Sequence, residues 1–441
     1  MRHMLFFLAL LAGACKNTDS SNKNASGQKS YGCPEVSSAT ESNSYWFKSA
    51  LSFDFNVNYS IYPFGHYLKL SSLSNNGAWV ASVLYVENDS RDQIGIVVGR
   101  AGSDHSEIIY AEHARDPVIT SDGRYVYFVT TQSNLIGGST TEFDQIVEYD
   151  REKKTSRLIS KNTNGMSSNG DSTISRSYSL SDDECLLVFS SSATDLVAGV
   201  TVEGENQIYL FDRTKQKISL ISSSDGRGEN AGNGNSSTAM LTGDGRYVFF
   251  SSTASNFGTV PPSSNSSIYR KDLNTGSIAL IRHDMGFLRQ SRDGRYSLYY
   301  RSVSGAPFAW QLHLYDTETD EEILVSSTDG SPASASSSSC HRAEVDPNGL
   351  FVYFICDSNH DLMAGAAGEQ LFRFTLQSRD LKLISTESEE SSTPVDAVGL
   401  SFDVAIAAKS GRLLLESRTY SPLVREAKPD PTSAHLPYLF D

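Results

Sequence analysis

Apolar and polar positions alternate with a period of two in short stretches along most of the chain, and polar turns separate the stretches. One strand–turn–strand phrase recurs seven times. It reads SLSNNGAWVASV, VITSDGRYVYFV, SLSDDECLLVFS, LTGDGRYVFFSS, RQSRDGRYSLYY, VDPNGLFVYFIC and AAKSGRLLLESR. The turn residues are Gly77, Gly123, Glu184, Gly245, Gly294, Gly349 and Gly411, spaced 46 to 62 residues apart. Asp-Gly and Asn-Gly suit hairpin turns because glycine accepts a positive φ.

A third apolar stretch follows each phrase after a polar loop: QIGIVV at 93–98, QIVEYD at 145–150, QIYLFD at 207–212, SIYRKD at 267–272, QLHLYD at 311–316, QLFRFT at 370–375 and LPYLFD at 436–441. Asp150, Asp212, Asp272 and Asp316 end four of these, where a carboxylate closes an Asx turn. A fourth stretch reads TSRLIS, KISLIS, SIALIR, EEILVSS or LKLIST. Four antiparallel strands per unit, repeated seven times, predict an all-β fold, a seven-bladed β-propeller. Six or eight blades fit less well, since six would discard a phrase. No helical period of comparable strength appears.

The seventh unit holds only three of its four strands. Residues 45–63 alternate around 51–62, so an N-terminal strand there is expected to close the last blade and leave no open edge. The propeller is therefore expected to span 45–441.

The chain starts MRHMLFFLALLAGAC. Arg2 and His3 form a basic start, residues 5–11 are apolar, and small residues follow. Residues 1–14 read as an export signal to be set aside from fold reasoning. Leu11-Ala12-Gly13-Ala14-Cys15 resembles a bacterial lipobox, which implies lipidation of Cys15. Ala12-Gly13-Ala14 also fits an ordinary cleavage site, which would give a secreted protein. Lys16 after the Cys leans towards the outer membrane. Residues 15–44 are rich in Ser, Asn, Lys and Thr and read as a flexible tether, with a typical span of about 30 Å.

The phrases SDGRYVYFVTTQSNL (121–135), SDDECLLVFSSSATDL (181–196) and GDGRYVFFSSTASNF (243–257) resemble the WD-repeat-like propeller repeat of TolB-type proteins. The resemblance covers nearly all of 65–441. It implies a platform that binds a protein or ligand. TolB itself carries an α/β domain before its propeller, for which 16–64 is too short, so TolB's own role does not carry over.

Composition narrows the function. Lys plus Arg number 37 and Asp plus Glu 52, a net charge of −15, which disfavours nucleic acid. No apolar run reaches 18 residues, so no membrane-spanning helix is expected. G-x-S-x-G, Gly-Lys and H-E-x-x-H are all absent, and the nine His are scattered. No catalytic residue, metal or cofactor is assigned. The polar loops 162–172 and 222–237 lack the alternating Asp of a calcium loop and read as connections between blades. Arg124, Arg246, Arg295 and Arg412 recur after the turn glycine, which marks a structural role.

Eight residues before each turn position stand Lys69, Arg115, Arg176, Ser237, Gly286, His341 and Asp403. Equivalent positions ring a propeller's channel, so Lys69, Arg115, Arg176 and His341 are candidates for an acidic ligand. The bland alternative pairs them with nearby carboxylates. The loops 134–143, 195–205, 257–266 and 420–435 form a second candidate surface, with Phe257, Phe308 and Trp310 as anchors or as packing between blades. Of the five Cys, Cys340 and Cys356 flank a hairpin and are candidates for a disulfide, while Cys33 and Cys185 are open to being free thiols. The expectation is an exported, lipid-anchored, monomeric propeller that binds an envelope protein or acidic ligand without catalysis. The alternative is a polysaccharide lyase or hydrolase with a metal or acid–base site at the channel mouth.

Overall fold

The structure is a computed structural model. It describes residues 33, 47–50, 66–86, 93–100, 106–137, 142–175, 178–225, 227–258, 266–283, 286–302, 310–331, 335–337, 339–357, 362–363, 369–385, 403–406, 413–417 and 436–440. The export signal, Cys15, most of the tether, Arg176, Phe308, Arg412 and the loop 420–435 lie outside these residues.

Among the described residues there are seven four-stranded antiparallel sheets. Blade 1 comprises β2 (His66–Leu73), β3 (Trp79–Val86), β4 (Gln93–Arg100) and β5 (Ser106–Tyr110). Blade 2 comprises β6 (Arg115–Ile119), β7 (Tyr125–Thr130), β8 (Gln145–Asp150) and β9 (Thr155–Leu158). Blade 3 comprises β10 (Ser172–Thr173), β11 (Leu186–Ser191), β12 (Gln207–Asp212) and β13 (Lys217–Leu220). Blade 4 comprises β14 (Ser236–Leu241), β15 (Tyr247–Ser252), β16 (Ser267–Asp272) and β17 (Ile278–Arg282). Blade 5 comprises β18 (Gly286–Gln290), β19 (Tyr296–Ser302), β20 (Trp310–Asp316) and β21 (Glu321–Leu324). Blade 6 comprises β22 (Cys340–Val345), β23 (Phe351–Cys356), β24 (Gln370–Thr375) and β25 (Leu381–Leu383). Blade 7 joins β26 (Asp403–Ile406), β27 (Leu413–Ser417) and β28 (Leu436–Phe440) to β1 (Phe47–Ala50).

The ring closes as the alternation requires, but earlier in the chain than expected. The closing strand is Phe47–Ala50, paired antiparallel with β28 from Phe47↔Phe440 to Ala50↔Tyr438. The alternating stretch 51–62 lies outside the described residues. First strands of neighbouring blades touch around the ring, including β2 with β6, β18 with β22, β22 with β26, and β26 with β2. The core lies between adjacent sheets. Tyr127, Phe189, Tyr209 and Phe211 are buried between blades 2 and 3, and Leu314, Phe354, Phe372 and Phe374 between blades 5 and 6.

The turn glycines have a second duty beyond their φ. Gly123 has φ +71°, and a Cβ there would lie 2.1 Å from the Trp79 indole of the preceding blade. Gly349 likewise meets Tyr296 of blade 5, at 2.6 Å. Each of these two turns thus seats an aromatic of its neighbour. Gly123→Ala combines a strained φ with overpacking, so an unfolding free energy lower by about 3 kcal/mol is expected. Chemical denaturation measures it, and a loss below about 1 kcal/mol would show that the indole moves aside freely.

The Arg that follows the turn glycine is accounted for. Arg124 pairs with Asp150 at 2.9 Å, Arg246 with Asp272 at 3.1 Å and Arg295 with Asp316 at 2.6 Å. The same Asp residues cap the next turn: Asp316 Oδ1 accepts from the Glu318 amide at 2.9 Å, and Asp272 Oδ1 from the Asn274 amide at 2.8 Å. Burial is the largest influence and opposes the charge on Asp316, but Arg295, the Glu318 amide and Thr319 together outweigh it and hold the carboxyl below its usual range. Blade 6 lacks both partners, with Leu350 and Thr375 at these positions.

Candidate functional site

The two ends of the ring differ. One face carries the short turns between first and second strands. The other carries the loops between second and third strands and the links between blades.

The turn face is interlocked across blades 1 to 5. Asn76 Nδ2 donates to the Ser121 carbonyl at 3.1 Å, and Asn75 Nδ2 to the Ser181 carbonyl at 3.1 Å. Glu184 takes the turn position that glycine fills elsewhere, at φ 55°. Its buried carboxylate accepts from the Ser121 amide at 2.9 Å and hydroxyl at 2.7 Å, which ties blade 3 to blade 2. Arg292 of blade 5 donates to the Leu180 carbonyl at 2.7 Å, the Leu241 carbonyl at 3.1 Å and Asp182 at 2.8 Å. The Tyr178 hydroxyl reaches from blade 3 to the Val345 carbonyl of blade 6 at 2.9 Å. Burial pushes the Tyr178 hydroxyl well above its usual pKa, so it stays a donor. These polar groups hold the blades together and are engaged by other groups of the same chain.

The long-loop face carries the sequence-derived candidates. Lys69, Arg115, Ser237, Gly286 and His341 hold one ladder position in five blades, opposite Val83, Val129, Ser251, Tyr300 and Ile355. Sequence reasoning missed a backbone feature at this position. The residue after three of them is left-handed, at Asp116 (φ 52°), Thr238 (φ 53°) and Arg342 (φ 48°). The ladder slips just there, as a β-bulge requires. No turn motif marks these positions.

Arg115 is not an open cation. It pairs with Asp116 at 2.8 Å and with Asp144, the residue preceding β8. Burial disfavours its charge, but both carboxylates hold it charged. The Lys69 backbone lies in β2 and Asp403 pairs with Glu416 in blade 7. Phe257 is buried 5.0 Å from the Tyr269 ring and 6.0 Å from the Phe250 ring, in a cluster shared by blades 3 and 4, so it packs between blades rather than standing as an anchor. Three of the four exposed large apolar residues among those described do stand on this face: Tyr110 at the end of β5, Phe143 before β8, and Met166 between blades 2 and 3.

The polar links between blades are held by a device that sequence reading did not recognise. Gln145 accepts from the Ser160 hydroxyl at 2.8 Å and donates to the Ser168 carbonyl at 3.2 Å. Gln207 does the same with Ser222 at 2.6 Å and the Gly232 carbonyl at 3.0 Å. Gln311 bonds Ser326 at 2.5 Å and the Ser336 carbonyl at 2.9 Å. The Gln at or next to the start of a third strand thus fixes the link to the next blade. The 222–237 loop also folds on Asp225, whose carboxylate accepts amides of Arg227 and Gly228 at 3.0 Å each.

His341 has company. Its Nδ1 lies 3.7 Å from Asp357 Oδ1. Glu369 joins them, with one donor atom of each residue within 4.8 Å of the others. The three come from the start of β22, the residue after β23 and the residue before β24. Cys340 and Cys356, directly opposite in the ladder, are joined by a disulfide with Cα atoms 4.0 Å apart. Cys33 and Cys185 are not free: they form a second disulfide, Cα–Cα 5.0 Å, which fastens residue 33 to the turn face of blade 3.

No protein-family model and no curated protein matches the chain. Solved structures do. The β-propeller domain of the Trilobed protease from Pyrococcus furiosus is similar at 15% identity and TM-score 0.51, over 85% of this chain and 93% of that one. That domain has an open velcro topology, whereas here β1 closes the ring. An oligogalacturonate lyase in complex with manganese is similar at 10% identity and TM-score 0.50, over 84% of this chain and 87% of that one. TolB from Acinetobacter baumannii is also among the similar structures, at 17% identity and TM-score 0.38. There the match covers 65% of this chain and 58% of TolB. At these identities the likeness establishes the propeller fold alone.

Proposed function

We propose that this chain is an exported, Cys15-anchored propeller that binds another envelope protein on its long-loop face without catalysis, facing the periplasm from the outer membrane. The observation that carries the reading is the placement of Tyr110, Phe143 and Met166 on one face, where large apolar groups anchor partners. The turn face supports it from the other side, since its polar groups are engaged in joining blades.

The test is crosslinking and capture of the full-length protein in its native envelope, beside a Tyr110→Ser/Phe143→Ser/Met166→Ser variant. One stoichiometric partner that the variant loses, at unchanged thermal stability, supports the platform. Equal capture by both proteins, or capture of none, overturns it. A second reading, a polysaccharide lyase or hydrolase, is favoured by the His341, Asp357 and Glu369 cluster alone. Cleavage of envelope polysaccharide that disappears in His341→Ala would establish it instead.

A further inference from the structure

We propose that His341, Asp357 and Glu369 form a divalent transition-metal site on the long-loop face of blade 6. The donor set is one imidazole nitrogen and two carboxylates, which suits Zn²⁺ or Mn²⁺. A metal with bonds of about 2.1 Å holds its ligand atoms about 3–4 Å apart. The three donor atoms already lie within 4.8 Å of one another, so small side-chain rotations close the set.

A second observation points to a ligand. His341 Nδ1 and Glu369 Oε2 are buried atoms, and neither has a hydrogen-bond partner. The 3.7 Å separation from Asp357 is too long to satisfy the imidazole nitrogen. Buried polar atoms without partners are costly, and two carboxylates beside each other repel. One cation at their centre satisfies all three groups.

The backbone holds these donors in place. His341 and Asp357 each adjoin a cysteine of the Cys340–Cys356 disulfide, so a covalent link fixes two of the three ligands relative to each other. Glu369 precedes Gln370, which pairs with Cys356 in the same ladder. Three protein ligands leave coordination positions open for water or an anionic group of a ligand. This site is independent of the apolar anchors in blades 1 and 2.

The experiment is equilibrium dialysis of the oxidised, full-length protein, stripped of metal, against Zn²⁺ alone and Mn²⁺ alone. One equivalent of either ion is expected to bind. Glu369→Gln and His341→Gln are each expected to weaken it at least about 10-fold, the lower end of what losing even an outer-shell partner costs. Glu369 lies outside the strands, so its variant reads the site without disturbing the ladder. Circular dichroism of both variants checks the fold. An X-band spectrum of bound Mn²⁺ that changes in Asp357→Asn supports direct ligation. The proposal is overturned if neither ion binds at one equivalent, or if folded Glu369→Gln and His341→Gln bind as the parent does.

Discussion

Glu148→Ala lowers the unfolding free energy by about 3–5 kcal/mol, the cost of stripping a buried ion pair of one partner. Glu148 sits on β8 of blade 2, and Arg213 follows β12 of blade 3. Both are buried, at 4% and 2% exposure. The Arg213 guanidinium pairs with Glu148 and donates to the Tyr127 hydroxyl at 2.9 Å. Arg157 adds a second cation to the same carboxylate at 2.6 Å. Without Glu148, two guanidinium groups lose their shared anion inside the blade 2–blade 3 interface. Glu148→Gln keeps an oxygen acceptor and the side-chain shape, so a smaller loss of about 1–3 kcal/mol is expected. Denaturant unfolding at constant m-value reads both. A loss under about 1 kcal/mol for Glu148→Ala would mean that water reaches the pair.

Cys185→Ser is expected to cost about 5 kcal/mol, more than Cys340→Ser. The Cys33–Cys185 bond closes a loop of sequence separation 152, and the Cys340–Cys356 bond one of 16. Cross-links act mainly on the unfolded chain, and the entropy they remove grows with the logarithm of loop length. The same relation gives about 3 kcal/mol for the shorter loop. An oxidising compartment, the one the proposed export would reach, keeps both bonds formed. Urea unfolding of the oxidised protein and of the two serine variants compares them directly. A Cys340→Ser loss larger than that of Cys185→Ser would reverse the order. It would then place the stabilisation in the local geometry of blade 6 rather than in chain entropy.

Much of the architecture was legible because it is local. The Asp-Gly and Asn-Gly turns, the alternating second strands and the Asp-terminated third strands all lie within one unit of the chain. Each of the seven third-strand stretches coincides with a strand of the structure. The recurring Arg is structural, as its repetition implies, and its partner is the Asp 21 or 26 residues further on in the same blade. Closure by an N-terminal strand followed from counting, since three strands cannot complete a four-stranded blade. Its position did not, because Phe47–Ala50 carries no sharper alternation than the stretch after it.

Glu184, Arg292 and Tyr178 were opaque to sequence because their partners are 63, 110 and 167 residues away and meet only when the ring closes. The Cys33–Cys185 bond, across a sequence separation of 152, belongs to the same class. His341, Asp357 and Glu369, by contrast, lie in blade 6 and are brought together by the pairing of its own strands. The order of residues alone sets the blades, since a blade is built from neighbours in the chain whose hydrogen bonds and turn conformations depend on nearby residues. Which polar groups face each other is settled by the closed ring. A propeller joins residues across blades and across its axis, and those distances follow from the circumference of the ring rather than from any local pattern.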